Sequence, residues 1–208
     1  ESSAASDVYK RQYMYHGGSN PKGKLSTLQE SRETGYLNDL PEVNYDFNAP
    51  VRQYGAISDS YREIKLLAYF LKDFGDDMAA LETDILTRGV KPEDTKTLRL
   101  SSRHDDEHGY VFYNNYQRRR VMDAHQRTML IGKCRQPVNF PPVDIGEGAF
   151  GFFPYRMRLG NAVLRSALAT PLCCLHTKKE DIFVFYGEQE PEYQWEGEEQ
   201  ARVLSLSR

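Results

Sequence analysis

The pattern of apolar and polar positions at the start of the chain predicts a strand, a long loop and a helix. Residues 13–16 read YMYH, a short apolar run typical of a buried strand, and this run meets the glycine pair Gly17–Gly18. A polar segment marked by Gly and Pro continues to about Ile57. Apolar side chains then recur at helical spacing between Tyr61 and Phe74, which predicts an amphipathic helix.

The limits of this helix can be predicted from local signals. Ser60 and Glu63 have the spacing of a capping box, in which each side chain bonds a backbone N–H of the other residue. Gly75 predicts the end of the helix. The predicted apolar face consists of Tyr61, Ile64, Leu67, Ala68, Leu71 and Phe74.

Beyond the helix the sequence changes to a β pattern. Residues 76–107 are charged and weakly patterned, and we expect a linker there with one short strand near Leu98. From Gly109 onward, short strand-like runs alternate with turn residues, which predicts an antiparallel β-sandwich. The runs are GYVFYNNY, QRTMLIG, GAFGFFPYRMRL, DIFVFYGE and YQWEG, with RVLSLSR as a further strand at the end.

Composition and charge exclude several classes of protein. The chain has 208 residues and a net charge of −3, which fits one sizeable domain or two small ones. The mild acidity argues against a nucleic-acid partner, since phosphate binding needs a basic face. The sequence contains no run of eighteen apolar residues, so it does not predict a membrane-spanning helix. Three cysteines cannot all pair, and we expect Cys173 and Cys174 to pack as a small buried pair.

The segment after the first glycines partly matches a phosphate-binding loop. Gly18 to Lys24 satisfies G-x-x-x-x-G-K, and it follows a predicted strand. The next residue should be Ser or Thr, to hold magnesium, but it is Leu25. Pro21 also removes a backbone donor from the cradle. A glycine-rich turn with surface lysines therefore fits better than a nucleotide site, and no cofactor is expected.

Three ordered blocks carry a resemblance to a known family. They are YMYHGGSNPKGK, TLQESRETGYLNDLPEVNYDFNAP and GAISDSYREIKLLAYFLKDFG. Together they resemble the last strand, loop and helix of the catalytic barrel of family 35 glycoside hydrolases, the β-galactosidases, with Ser19 where Thr is usual. The later stretch from GYVFYNNYQR to PYRMRLGNAVLRSALATPL resembles the β-domain that follows the barrel in bacterial members.

The resemblance implies a fold class and a domain organisation. The fold would be an α+β fragment, with the last strand, loop and helix of a TIM (β/α)8 barrel followed by an antiparallel β-sandwich. Residues 13–76 would end the barrel, 77–105 would form a linker and 106–208 would be the accessory domain. Residues 1–12 include DVYKRQ, which resembles translated adapter sequence at the ends of metagenomic fragments, so we expect them to be non-native.

The resemblance also implies a substrate and the residues that bind it. Tyr13, Tyr45 and Phe47 would contact the galactose of an oligosaccharide or glycan, and Gly17–Gly18 would let the backbone turn sharply at the rim of the cleft. Family members are retaining enzymes with two glutamates in motifs resembling ENEYG and TEFW. Neither motif occurs here, so we expect no catalytic residue in this chain and no activity from it alone. The family implies a periplasmic or secreted parent enzyme.

Another class of protein fits the second half of the chain. Residues 109–208 are also consistent with a non-catalytic β-sandwich that binds carbohydrate or another partner. Two charged motifs, one just before this segment and one within it, are expected to be ordinary surface. The run His104–His108 (HDDEH) has metal-binding residue types but is predicted to be a solvated turn, with no metal bound. The run Arg118–Arg120 is predicted to be an exposed hairpin end.

Overall fold

A computed structural model describes residues 14–19, 44–128, 130–187, 191–197 and 201–205. The chain forms two compact units, which we call the N-terminal unit (within residues 9–69) and the sheet unit (within residues 70–208). The helix α1, Asp59–Ala80, begins in the first and ends in the second. Among the described residues, no helix has the length and apolar character needed to cross a membrane.

The sheet unit is mostly antiparallel β-structure, as the alternating pattern predicted. One sheet has six strands in the order β1-β2-β3-β8-β9-β12, and three further pairs are β4-β7, β5-β6 and β10-β11. The strands are β1 Glu82–Ile85, β2 Arg99–His104, β3 Gly109–Asn114, β4 His125–Thr128, β5 Ile131–Gly132, β6 Val138–Asn139, β7 Val143–Ile145, β8 Phe150–Leu159, β9 Ala162–Ala167, β10 Thr170–His176, β11 Asp181–Tyr186 and β12 Tyr193–Glu196.

The two faces of the six-stranded sheet are covered by different elements. Successive side chains of a strand point to opposite faces, so Val111 and Phe153 share one face while Tyr110 and Phe152 share the other. On the first face, the central core joins the sheet to the short strands β5–β7 and the loops beside them. This core consists of Leu98, Val111, Leu130, Val138, Phe140, Val143, Ile145, Phe153 and Tyr155.

The second half of α1 covers the opposite face. Phe70 is 1% exposed, and its ring lies 5.7 Å from the ring of Tyr110 and 4.7 Å from that of Phe152, edge to face in both pairs. Edge-to-face pairs at this spacing stabilise packing beyond simple burial. Phe74 and Met78, one and two turns later, are also buried. The structure thus places a helix, a large sheet and small strand pairs in layers, consistent with a β-sandwich.

The helix differs from its prediction at both ends and on its apolar face. It begins at Asp59, where the Ser58 carbonyl accepts a hydrogen bond from Tyr61 N at 3.1 Å, so the Ser60–Glu63 box does not mark its start. Gly75 does not end it. The predicted face included Ala68, which is exposed, and omitted Phe70, the most buried side chain of the helix. Burial of Phe74 and Met78 on the sheet continues the helix past Gly75, because tertiary packing outweighs the weak helix propensity of glycine.

Three further segments differ from the pattern-based expectation. The segment expected to be a linker contains the end of α1, β1 and β2, and β2 accounts for the strand expected near Leu98. Residues 201–205 carry no strand and are exposed. Met14–His16 form a turn, a bend and one parallel bridge to Val51 instead of a regular strand, and Tyr15 is 41% exposed. A single bridge satisfies too few backbone groups to define a strand.

Candidate functional site

Within the N-terminal unit, the residues around the glycine pair lie against the segment that contains Tyr45 and Phe47. His16 forms a parallel bridge with Val51, and Ser19 forms an antiparallel bridge with Asn44. Gly17 N donates to the Val51 carbonyl at 2.7 Å, and Tyr45 N donates to the Gly18 carbonyl at 3.0 Å. These backbone bonds connect two segments that are more than twenty residues apart in sequence.

The two glycines make this close approach possible. A Cβ atom on Gly17 would lie 2.9 Å from Asp46 Cα and 2.8 Å from Asp46 Cγ, and the carboxylate oxygen would be closer still. A Cβ atom on Gly18 would lie 2.7 Å from Tyr45 Cε2, with the phenol oxygen closer. At Gly17 one opposing atom is backbone, so the packing requires glycine there, whereas at Gly18 the opposing atoms are the outer part of the Tyr45 side chain. The resemblance implied glycines for a sharp backbone turn, but the described contacts give a different reason, the close approach of Asp46 and Tyr45.

Asp46 holds the returning segment together. Its Oδ1 accepts a hydrogen bond from Gln53 N at 2.7 Å, and its own N–H donates to Asn44 Oδ1 at 3.1 Å. Its carbonyl accepts from Ala49 N at 2.6 Å. Ser19 Oγ donates to Gln53 Oε1, which joins the residue after the glycine pair to the same network. Sequence reasoning overlooked Asp46, although an Asn-x-Asp pattern between turn residues is a known signal for side-chain-to-backbone bonds.

The predicted sugar-contacting residues have different environments. Tyr45 is half-buried with its ring over Gly18, while Phe47 is 46% exposed. Phe47 and Asn48 both have positive φ, 44° and 61°, a conformation that costs a non-glycine residue free energy. Their strained backbone directs the chain into the buried pair Ala49–Pro50. Tyr13 lies outside the described residues, so its predicted role stays a prediction, as does most of the Gly18–Lys24 segment.

The His104–His108 turn connects β2 to β3, as expected, but it is more than a solvated turn. Asp105 Oδ1 accepts from the backbone N–H groups of Glu107 at 2.7 Å and His108 at 2.8 Å. His108 Nε2 lies 2.9 Å from Asp77 Oδ1 of α1, and His108 Nδ1 lies 3.2 Å from Asp105 Oδ1. Across the described part of the chain, no group of three His, Cys, Asp or Glu side chains is arranged to hold a metal ion.

The remaining candidates are ordinary surface or partly buried positions. Arg118, Arg119 and Arg120 are exposed, as predicted, but they do not form a hairpin end, because β3 pairs with β2 and β8 while β4 pairs with β7. Cys173 and Cys174 are free thiols that are half-buried in β10, so the expectation of a buried pair was wrong. They are half-buried because β10 pairs with β11 as a separate two-stranded ribbon that leaves part of its surface exposed.

Comparison of the chain with models of known protein families, with curated proteins and with solved structures finds no match. The described site within the N-terminal unit is the Gly17–Gly18 pair, which is hydrogen-bonded to the returning segment that contains Tyr45 and Phe47.

Proposed function

We propose that the chain is the C-terminal part of a β-galactosidase of glycoside hydrolase family 35. The parent enzyme would remove terminal β-galactose from an oligosaccharide or glycan by double displacement, with both glutamates in sequence that precedes Tyr13. In this proposal Tyr13, Tyr45 and Phe47 contact the sugar. A tyrosine suits this role because its ring stacks on the apolar face of a pyranose and its hydroxyl bonds a ring substituent.

One observation carries this proposal. The glycine pair and the Tyr45–Phe47 segment lie side by side, joined by the Tyr45 N to Gly18 carbonyl bond of 3.0 Å. The resemblance requires the long loop to return these aromatic residues to the end of the YMYH run, and the bonded segments support that arrangement. The half-burial of Tyr45 and the exposure of Phe47 leave both rings with surface for a ligand.

The test begins with the coding sequence upstream of the Tyr13 codon. We expect an open frame that encodes both glutamate motifs, and the extended protein should hydrolyse a chromogenic β-galactoside. Residues 1–208 alone should give no turnover. In the extended enzyme, Tyr45→Phe should lower kcat/KM roughly tenfold, since a lost hydrogen bond to a polar substrate group costs about 1–2 kcal/mol. Turnover by residues 1–208, or an upstream frame without the glutamates, would reject the proposal.

A second candidate is a non-catalytic carbohydrate-binding module, and one feature of the sheet unit favours it. Phe150 is 67% exposed and Tyr116 is 52% exposed. Phe150 lies directly across from Asn114 in the β3–β8 ladder. The buried Asn115 Nδ2 donates to the carbonyls of Asp123 at 2.9 Å and Gly146 at 2.8 Å, which fixes the neighbouring loops. Exposed aromatic rings are suited to stacking on the apolar face of a sugar.

Retention on immobilised galactosides tests this second candidate in the full chain. Binding that is lost in both Phe150→Ser and Tyr116→Ser would support it. Ile131→Ser is a matched control, because Ile131 is also exposed (54%) but lies in β5. If the unmodified chain is not retained, the second candidate is rejected for galactosides.

A further inference from the structure

We propose that His108 is a proton-dependent latch that holds the C-terminal half of α1 on the six-stranded sheet. It is bound between two carboxylates from different elements. Asp77 comes from the last turn of α1, and Asp105 comes from the β2–β3 turn. The two contacts use different ring nitrogens, Nε2 at 2.9 Å from Asp77 and Nδ1 at 3.2 Å from Asp105.

A carboxylate beside each ring nitrogen favours the protonated imidazole. A carboxylate can only accept hydrogen bonds, and a neutral imidazole has one N–H donor and one lone pair. Only the imidazolium form donates to both carboxylates at once. When the proton is lost, one of the two nitrogens directs a lone pair at a carboxylate oxygen, and that contact becomes repulsive. The latch is therefore closed by one proton.

The end of α1 depends on cations supplied from the sheet. The last turn of the helix contains Asp77 and no basic residue, although the partial negative charge at a helix C-terminus favours a cation there. His108 supplies one positive charge beside Asp77. Arg103 of β2 supplies another, since its Nη1 donates to the Met78 carbonyl at 2.8 Å. Of these two cations, only His108 loses its charge near neutral pH.

The other charges near His108 compensate one another. A cavity of about 50 Å³ beside the imidazole is lined by Glu107, Arg156, Arg158 and Glu196 as well as His108. Arg156 pairs with Glu196 at 3.3 Å, and Arg158 pairs with Glu107 at 3.4 Å. These pairs come from the turn, β8 and β12, and each is neutral as a unit. Asp77 and Asp105 are thus the unbalanced charges that act on His108.

The direction of the pKa changes agrees with this geometry. The hydrogen bond with Asp77 raises the pKa of His108 despite partial burial, and the charges of Asp77 and Asp105 add to the increase. Burial by itself would raise the pKa of Asp77, but the bonds from His108 and from the Tyr110 hydroxyl (3.0 Å) outweigh it and lower that pKa.

These two shifts define the pH window of the latch. A raised folded pKa means that His108 stabilises the folded form fully below its unfolded pKa, about 6.5. This stabilisation is lost as pH rises through the folded pKa. A lowered folded pKa means that the Asp77 carboxylate stabilises the folded form fully above about pH 4. This stabilisation is lost as the pH falls through the folded pKa of Asp77. The latch is therefore closed in mildly acidic solution and opens as the solution becomes alkaline.

Two measurements on the full chain test the latch. Histidine NMR titration reports the pKa of each of the five histidines, and Asp77→Asn should lower that of His108. Hydrogen exchange over residues 70–80, corrected for the intrinsic rate, should show about three- to tenfold less protection at pH 8.5 than at pH 5.5. His108→Gln should remove this difference, since glutamine does not titrate.

His176→Gln is the matched control. His176 also faces one carboxylate, Asp181 Oδ1 at 2.8 Å, but it is 75% exposed and this carboxylate belongs to β11, not to α1. This variant should keep the full pH dependence of residues 70–80. The proposal is overturned if His108 titrates at the same pH in Asp77→Asn as in the unmodified chain. It is equally overturned if residues 70–80 are protected alike at both pH values, or if His108→Gln retains the pH dependence.

Discussion

Replacing Gly17 with alanine should detach the Tyr45-containing segment from the glycine pair. The new Cβ would lie 2.9 Å from Asp46 Cα and 2.8 Å from Asp46 Cγ. Real Cβ contacts are essentially never under 3.0 Å. Because one of the opposing atoms is backbone, no side-chain rotation relieves the clash. The segment must move away as a whole.

The hydrogen bonds that this movement disrupts set the magnitude of the effect. The bonds from Gly17 N to the Val51 carbonyl and from Gln53 N to Asp46 Oδ1, both 2.7 Å, would be broken or stretched. Each contributes about 0.5–1.5 kcal/mol, and overpacking changes of this kind cost about 1–3 kcal/mol. We therefore expect a loss of roughly 1–3 kcal/mol of local stability, which is about a five- to 150-fold increase in the open population.

A local probe is needed, because the chain has two units and need not unfold in one step. Hydrogen exchange measured by mass spectrometry on peptides covering residues 44–57 reports the opening. Fluorescence of Trp195, the single tryptophan and part of β12, reports the sheet unit separately. Exchange over residues 44–57 should rise while the urea midpoint from Trp195 stays constant.

Two further alanine variants grade the effect. Gly18→Ala should be milder than Gly17→Ala, because its nearest atoms belong to the movable end of the Tyr45 side chain. Gly146→Ala should leave hydrogen exchange over residues 44–57 unchanged, since a Cβ at position 146 meets nothing within 4 Å. If Gly17→Ala exchanges at the rate of the unmodified chain, the two segments do not pack as described and the reasoning is refuted.

Two predictions concern the sheet unit. Tyr155→Phe should lower the free energy of unfolding by about 1–3 kcal/mol, because the buried hydroxyl donates to the Lys133 carbonyl at 2.6 Å and accepts from Lys133 N at 3.1 Å. Urea unfolding followed by Trp195 fluorescence measures this, and an unchanged midpoint would contradict it. Gly75→Ala should instead raise the free energy of unfolding in the same experiment by about 0.5–1 kcal/mol, since the new Cβ would lie an ordinary 3.6 Å from Leu71 Cβ. A lower urea midpoint would show that the packing around Gly75 is tighter than described.

Local sequence determined much of the β-structure. The runs beginning at Gly109 and at Gly148 became β3 and β8, because a short continuous apolar run between turn residues is typical of a strand that is covered on both faces. Alternation did not predict β9 and β10, whose runs contain Ala, Ser and Cys, residues that leave a weak periodic signal. Propensity acts over a few residues, and a weak strand forms only when a neighbour is present to pair with it.

The sequence by itself determined the amphipathic helix and the antiparallel pattern of the second half. Only the tertiary structure decided that α1 continues past Gly75, that Phe70 is its most buried residue, and that His108 meets Asp77. The physical reason is the distance along the sequence over which each effect acts. Backbone preferences and periodicity are local properties, whereas burial and charge pairing depend on residues that the fold brings together from about thirty or more positions away.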